Sequence, residues 1–102
     1  MDKNTAKIIK ELKKFKDRNN IKKLIFFGSR LNNKHSQYSD IDLIVVSPRF
    51  RRLKSYKRAP LIRLNWNLNY PVDMLCYTPE EFEKKKIEPT IVRTAIGEGI
   101  EI

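Results

Sequence analysis

Ile8, Ile9, Leu12 and Phe15 recur at the three- and four-residue spacing of one helix face, with lysines between them. Residues 3–18 are therefore predicted to form an amphipathic helix, ended by Asn19-Asn20. Residues 21–27 are a short apolar run of β-type composition, stopped abruptly by Gly28-Ser29. The polar stretch 30–39 reads as a turn of helix followed by a loop. Residues 41–46 are apolar at nearly every position after Asp42, as in a strand covered on both faces, and Pro48 closes them. Leu61, Leu64 and Leu68 lie along one side of a predicted helix over 55–69, which Tyr70-Pro71 breaks. A third strand is predicted over 72–77. Thr78 can cap the next helix, Pro79 suits its first position and Glu81 completes a capping box. That helix runs to about Lys86, and a further helical piece covers 89–96. Gly97 and Gly99 then release a short tail, 100–102. With no repeats and no linker, the pattern implies one domain over 1–102: a mixed α+β fold with helices packed on a small mixed β-sheet.

The chain has 102 residues, enough for one modest core. Its longest apolar runs, 24–27 and 41–46, are far too short to cross a bilayer, so no membrane association is expected. The polar, lysine-rich start does not read as a secretory signal, and Cys76 is the single cysteine, which excludes an intrachain disulfide. A cytoplasmic address is the expectation. Charge changes the picture more. The formal net charge is +10, and Arg49, Arg51, Arg52, Lys54, Lys57, Arg58 and Arg63 follow one another with no acid among them. Such a stretch is either a solvated face or a surface for anionic partners, nucleotide phosphates or nucleic acid.

Three features carry candidate chemistry, each at the start or end of a predicted strand. Phe27-Gly28-Ser29-Arg30 sits where a strand gives way to a helix. Glycine lets the backbone approach a ligand closely, free N–H groups and a hydroxyl bind phosphate oxygens, and Arg30 adds a planar cationic fork. Ser39-Asp40-Ile41-Asp42 opens the second strand. Side chains alternate along a strand, so Asp40 and Asp42 point the same way, about 6.6 Å apart at the backbone. Two such carboxylates repel unless a cation lies between them, and magnesium suits one or two carboxylates with water and phosphate oxygens completing its shell. Asp73 sits one residue into the third strand. If that strand lies beside the second, Asp73 joins the cluster, to bind a second metal or take a proton from an attacking hydroxyl.

Taken singly these features are weak: a Gly-Ser pair is usually a turn, and an Asp-x-Asp is more often a solvated strand end. A lone aspartate in an apolar strand is costlier to explain away. Together, Gly28-Ser29-Arg30, Ser39-Asp40-Ile41-Asp42-Leu43 and Val72-Asp73 resemble the nucleotidyltransferase superfamily of DNA polymerase β, and the short length its minimal nucleotidyltransferase branch. The resemblance runs from about Ile21 to the 97–102 tail.

The resemblance implies the nucleotidyltransferase fold and Mg2+ as cofactor. It implies nucleotide binding, probably of ATP in the sense that AMP is the group moved, by Gly28, Ser29, Arg30 and Ser39. Asp40, Asp42 and Asp73 would be the metal ligands and catalytic acids. It also implies a partner, a helical HEPN-type protein in a toxin–antitoxin pair, with a tyrosine of the toxin as one acceptor of AMP. The chain departs from the family pattern at Asn32-Asn33, where an Arg-Gly pair is common. Asparagine tolerates the left-handed backbone of that turn, but the arginine's phosphate contact would have to come from Lys34 or the later arginines.

Other residues read more plainly. His35 is an exposed loop histidine, Trp66 belongs to the core or a partner interface, Tyr56 is expected to be partly buried, and Cys76 is a small core residue. The expected mechanism is in-line attack of an acceptor hydroxyl on the α-phosphorus, with pyrophosphate leaving. The chain is too short to hold a full acceptor site, so a partner protein or homo-oligomer is expected to complete it. Two alternatives stand beside the enzyme: a non-catalytic antitoxin module, and a nucleic-acid-binding protein that uses the arginine run.

Overall fold

A computed structural model describes residues 3–28, 31 and 40–102. The first helix, α1 (Lys3–Arg18), buries Thr5, Ile8, Leu12 and Phe15 on the face set by their spacing. Asn20 then turns the chain in the left-handed region, with φ 52°. The next strand, β1 (Lys23–Phe27), pairs antiparallel with β2 (Ile41–Val46), and β2 pairs parallel with β3 (Val72–Tyr77). The segment between β2 and β3 carries a 3-10 turn (Pro48–Arg52) and α2 (Ser55–Arg63). After β3 come α3 (Pro79–Lys85), α4 (Ile91–Glu98) and β4 (Ile100–Glu101). The result is a mixed α+β fold whose four strands form one sheet in the order β3-β2-β1-β4.

The sheet has two apolar faces, because alternate side chains of each strand go to opposite sides. Leu24, Phe26, Ile41, Leu43, Val45 and Met74 face α1 and α2, where Phe15 and Ile62 meet them. Trp66 joins this side, edge-on to Phe15 with ring centroids 5.2 Å apart, and its indole N–H donates to the Tyr70 carbonyl. Ile25, Ile44 and Val46 face the other way, against Phe82 of α3 and Val92 and Ala95 of α4, with Phe27, Leu75 and Tyr77 partly buried beside them. Thus β2 is covered on both sides, as its unbroken apolar run requires.

The capping box at Thr78 forms in full. The Thr78 hydroxyl accepts from the Glu81 N–H, and the Glu81 carboxylate accepts from the Thr78 N–H.

Four expectations need correction. The helix predicted over 55–69 stops at Arg63. Leu64, assigned to its buried side, is 82% exposed, because the chain turns away through Asn65 and Asn67. Tyr56 is exposed rather than partly buried. The last helix runs through Gly97 to Glu98, and part of the expected tail is a strand: β4 pairs antiparallel with Ile25 and Phe26 of β1. The turn and loop expected over 30–39, with His35 and Lys34, lie outside the described residues apart from Leu31, whose N–H donates to the Gly28 carbonyl.

Candidate active site

The sheet's register creates the site. Phe27 of β1 pairs with Asp42 of β2, and Asp42 pairs with Asp73 of β3, so one row of residues crosses three strands at one end of the sheet. Neighbouring strands lie about 4.8 Å apart, which brings the two aspartates side by side. Both lie on the side covered by α3 and α4, in step with Ile44 and Leu75 two residues further along their strands. Asp40 immediately precedes β2 and is exposed, as is Asp73, while Asp42 is half-buried. Burial, and then the negative charges of Asp73 and Asp40, raise the Asp42 carboxyl above its ordinary value of 3.8. The structure thus brings Asp73 into the cluster on the condition stated from sequence, that its strand lies beside the second.

Gly28 ends the row on the β1 side. Its φ is +96°, a conformation open to glycine, and a Cβ there would run into the Asp42 carboxylate. The bare backbone at Gly28 and the carboxylate of Asp42 therefore share one small space. They line a cleft of about 570 Å³ with Asp73, Phe27, Met74 and Leu75 of the sheet. Ile91, Thr94, Ala95 and Glu98 of α4 form its far wall, and Arg63 stands on its rim. Ser29, Arg30 and Ser39, the other nucleotide-binding candidates, lie outside the described residues.

Arg63 and the α4 wall were not picked out from sequence. Arg63 was one of seven cations in a run, and only the fold separates them. Arg51 pairs with Glu80 at 2.7 Å, Arg58 is buried and pairs with Glu81, and Arg49 donates to the Asn19 carbonyl. Arg63 donates to the carbonyl of Val72, the residue before Asp73, and has no acidic partner among the described residues.

Oxygen donors suited to a hard cation are therefore present, and Asp42 carries the repulsion that a cation would relieve. Among the described residues, no three acidic, histidine or cysteine side chains close on a common point. Magnesium asks for less, since one or two carboxylates with water and phosphate oxygens satisfy it. The Asp42–Asp73 pair, with Asp40 beside it, fits that demand.

Comparison with known proteins agrees with this geometry. The family model described as "Nucleotidyltransferase domain" matches residues 6–102. Among solved structures, the chain is similar to a proposed nucleotidyltransferase from Sulfolobus solfataricus, with a TM-score of 0.55 and 21% identity over 76% of this chain and 70% of the other. That likeness shows the fold. A comparison with curated proteins gave no match. No helix among the described residues is long and apolar enough to cross a membrane.

Proposed function

The chain belongs to the nucleotidyltransferase domain family, and from that premise we propose that it uses Mg2+ to move AMP from ATP onto an acceptor hydroxyl. The observation that carries the reading is the in-register pair Asp42–Asp73 in one cleft with the bare backbone of Gly28. Crowding carboxylates on a strand costs stability and gives a purely structural domain nothing in return.

Asp42 and Asp73, with Asp40 beside them, would hold the metal. When bound, magnesium supplies charge neutralisation at the attacking and leaving oxygens. Gly28 admits the triphosphate against the main chain, and Ser29, Arg30 and Ser39 would grip it from the adjoining segment. Asp73, the more open of the paired acids, is placed to take the proton of the acceptor hydroxyl. The apolar wall of Ile91 and Ala95 lets the nucleoside lie out of water while its phosphates face the acids.

The acceptor belongs to a second molecule. Leu64, Ile87 and Ile91 are exposed, and their apolar surface supports docking of a partner or of a second copy of the chain. A tyrosine of a HEPN-type helical protein, with the chain as its antitoxin, is the acceptor that the family resemblance puts forward. The charge beside Asp73 favours a different one. Incubation with magnesium and α-labelled ATP tests the activity against protein and polynucleotide acceptors. Label should appear on an acceptor with release of pyrophosphate, and Asp42→Asn should cut transfer by about a thousandfold or more. Undiminished transfer by that variant would sink the assignment.

A further inference from the structure

We propose that Arg63 binds the acceptor rather than the triphosphate, and that this acceptor is a polynucleotide strand offering a terminal hydroxyl; the inference rests on the nucleotidyltransferase reading. The row across the sheet gives the site a direction. Gly28 follows Phe27 on the β1 side, Asp42 and Asp73 occupy the middle, and Arg63 lies beyond, holding the Val72 carbonyl of β3. In-line transfer puts the attacking and leaving oxygens on opposite sides of the phosphorus. With the triphosphate tail at Gly28, the attacking hydroxyl enters from the side of Asp73 and Arg63. A cation at that entrance selects an acceptor with negative charge next to its hydroxyl.

The surface leading to Arg63 says what carries the charge. Arg58 donates to the Cys76 carbonyl near the end of β3, and Arg63 to the Val72 carbonyl at its start. Helix α2 therefore runs antiparallel to β3 along the sheet's outer edge, with its C-terminal end at the cleft. Behind Arg63 lie the exposed Lys57, Lys54 and Arg52, none of them in an ion pair among the described residues. Lys57 is about 9 Å back along the helix axis, within reach of the next phosphates of a strand. Tyr56 lies beside them, 67% exposed, its ring available to stack on a base. Interleaved cations and an open aromatic are how proteins hold single strands without reading sequence.

In the step itself the terminal hydroxyl oxygen bonds to the α-phosphorus. The bond from that phosphorus to the bridging oxygen breaks, pyrophosphate leaves with the electron pair, and the hydroxyl proton passes to Asp73. The strand ends one nucleotide longer.

The test measures two ligands on the same proteins. A fluorescent single-stranded RNA of mixed sequence is titrated at several salt concentrations, and ATP with magnesium is titrated separately. For wild type the RNA should bind with a steep salt slope. Arg63→Met should lower that slope by about 0.7, the contribution of one phosphate contact on a single strand, with Arg63→Lys retaining it. Tyr56→Ala should weaken RNA about tenfold with the slope unchanged. ATP affinity should stay within twofold in all three variants. Loss of ATP affinity in Arg63→Met with RNA binding intact would move Arg63 to the triphosphate end and overturn the proposal. ATP binding without RNA binding by wild type would also overturn it, leaving the enzyme with a protein or uncharged acceptor. Failure to bind ATP would remove the nucleotidyltransferase reading itself.

Discussion

Asp42 and Asp73 stand opposite each other on adjacent parallel strands, at the sheet end where Gly28 leaves β1. Their apposition depends on register, since a slip of one residue would turn one of them to the other face. The apolar residues that follow on both strands fix that register by burial, so the core holds together two charges that repel.

The repulsion predicts a pH signature. Because the Asp42 carboxyl is raised in the folded chain, the folded state holds its proton more tightly than the unfolded state. Its charge therefore lowers stability as pH rises through and above the ordinary value of 3.8, and has no effect well below it. Asp42→Asn should melt at a higher temperature than wild type at pH 7, and the difference should close near pH 3. Millimolar magnesium should raise the melting temperature of wild type but not of the variant. Calorimetric melts at the two pH values check both.

At Gly28 the expected result is a loss of function larger than the loss of stability. Gly28→Ala places a methyl group on the Asp42 carboxylate and holds alanine at positive φ, at a cost of about 1–2 kcal/mol. The fold should survive, as seen in its circular dichroism, while magnesium-dependent ATP binding falls at least tenfold.

The Arg58–Glu81 pair should act as a structural bolt. Arg58 is buried, donates to the Leu53 and Cys76 carbonyls, and lies 5.9 Å from the centre of the Phe50 ring. Arg58→Met should cost about 2–3 kcal/mol in urea unfolding, since it orphans two carbonyls and the Glu81 carboxylate. The Arg58 hydrogen bond holds the Glu81 carboxyl below its ordinary value of 4.5, so its stabilisation is present above that pH and lost as pH falls through the folded value. Glu81→Gln should flatten the decline in stability below pH 4.5.

Burial pushes the Cys76 thiol up to about 11. At pH 8 it should react with iodoacetamide far more slowly than a free thiol, and at the free rate once the chain is unfolded in urea. Fast labelling of the folded chain would contradict the packing of β3.

Much of this was legible in the sequence because burial writes a plain pattern. The apolar run of β2 and the boundaries of β3 follow from period and turn residues, and Asp73 drew notice as a charge inside such a run. The capping box was readable because it is local. What could not be read depends on distant partners. Leu64 has helical spacing from Leu61, but nothing in the sequence shows that the helix ends at Arg63 and leaves it in water. Strand β4 is two residues long and exists through its pairing with β1. Arg63 is chemically identical to its neighbours in the run, and only the position of Val72 and the cleft sets it apart.

The most direct test of the central claim is calorimetric titration of ATP with magnesium into wild type and into an Asp42→Asn, Asp73→Asn double variant. Binding requires no acceptor. The account expects wild type to bind ATP only with magnesium present, and the double variant, still folded, to show no magnesium-dependent binding. Equal binding by both proteins, or binding indifferent to magnesium, would contradict the assignment of the carboxylate pair.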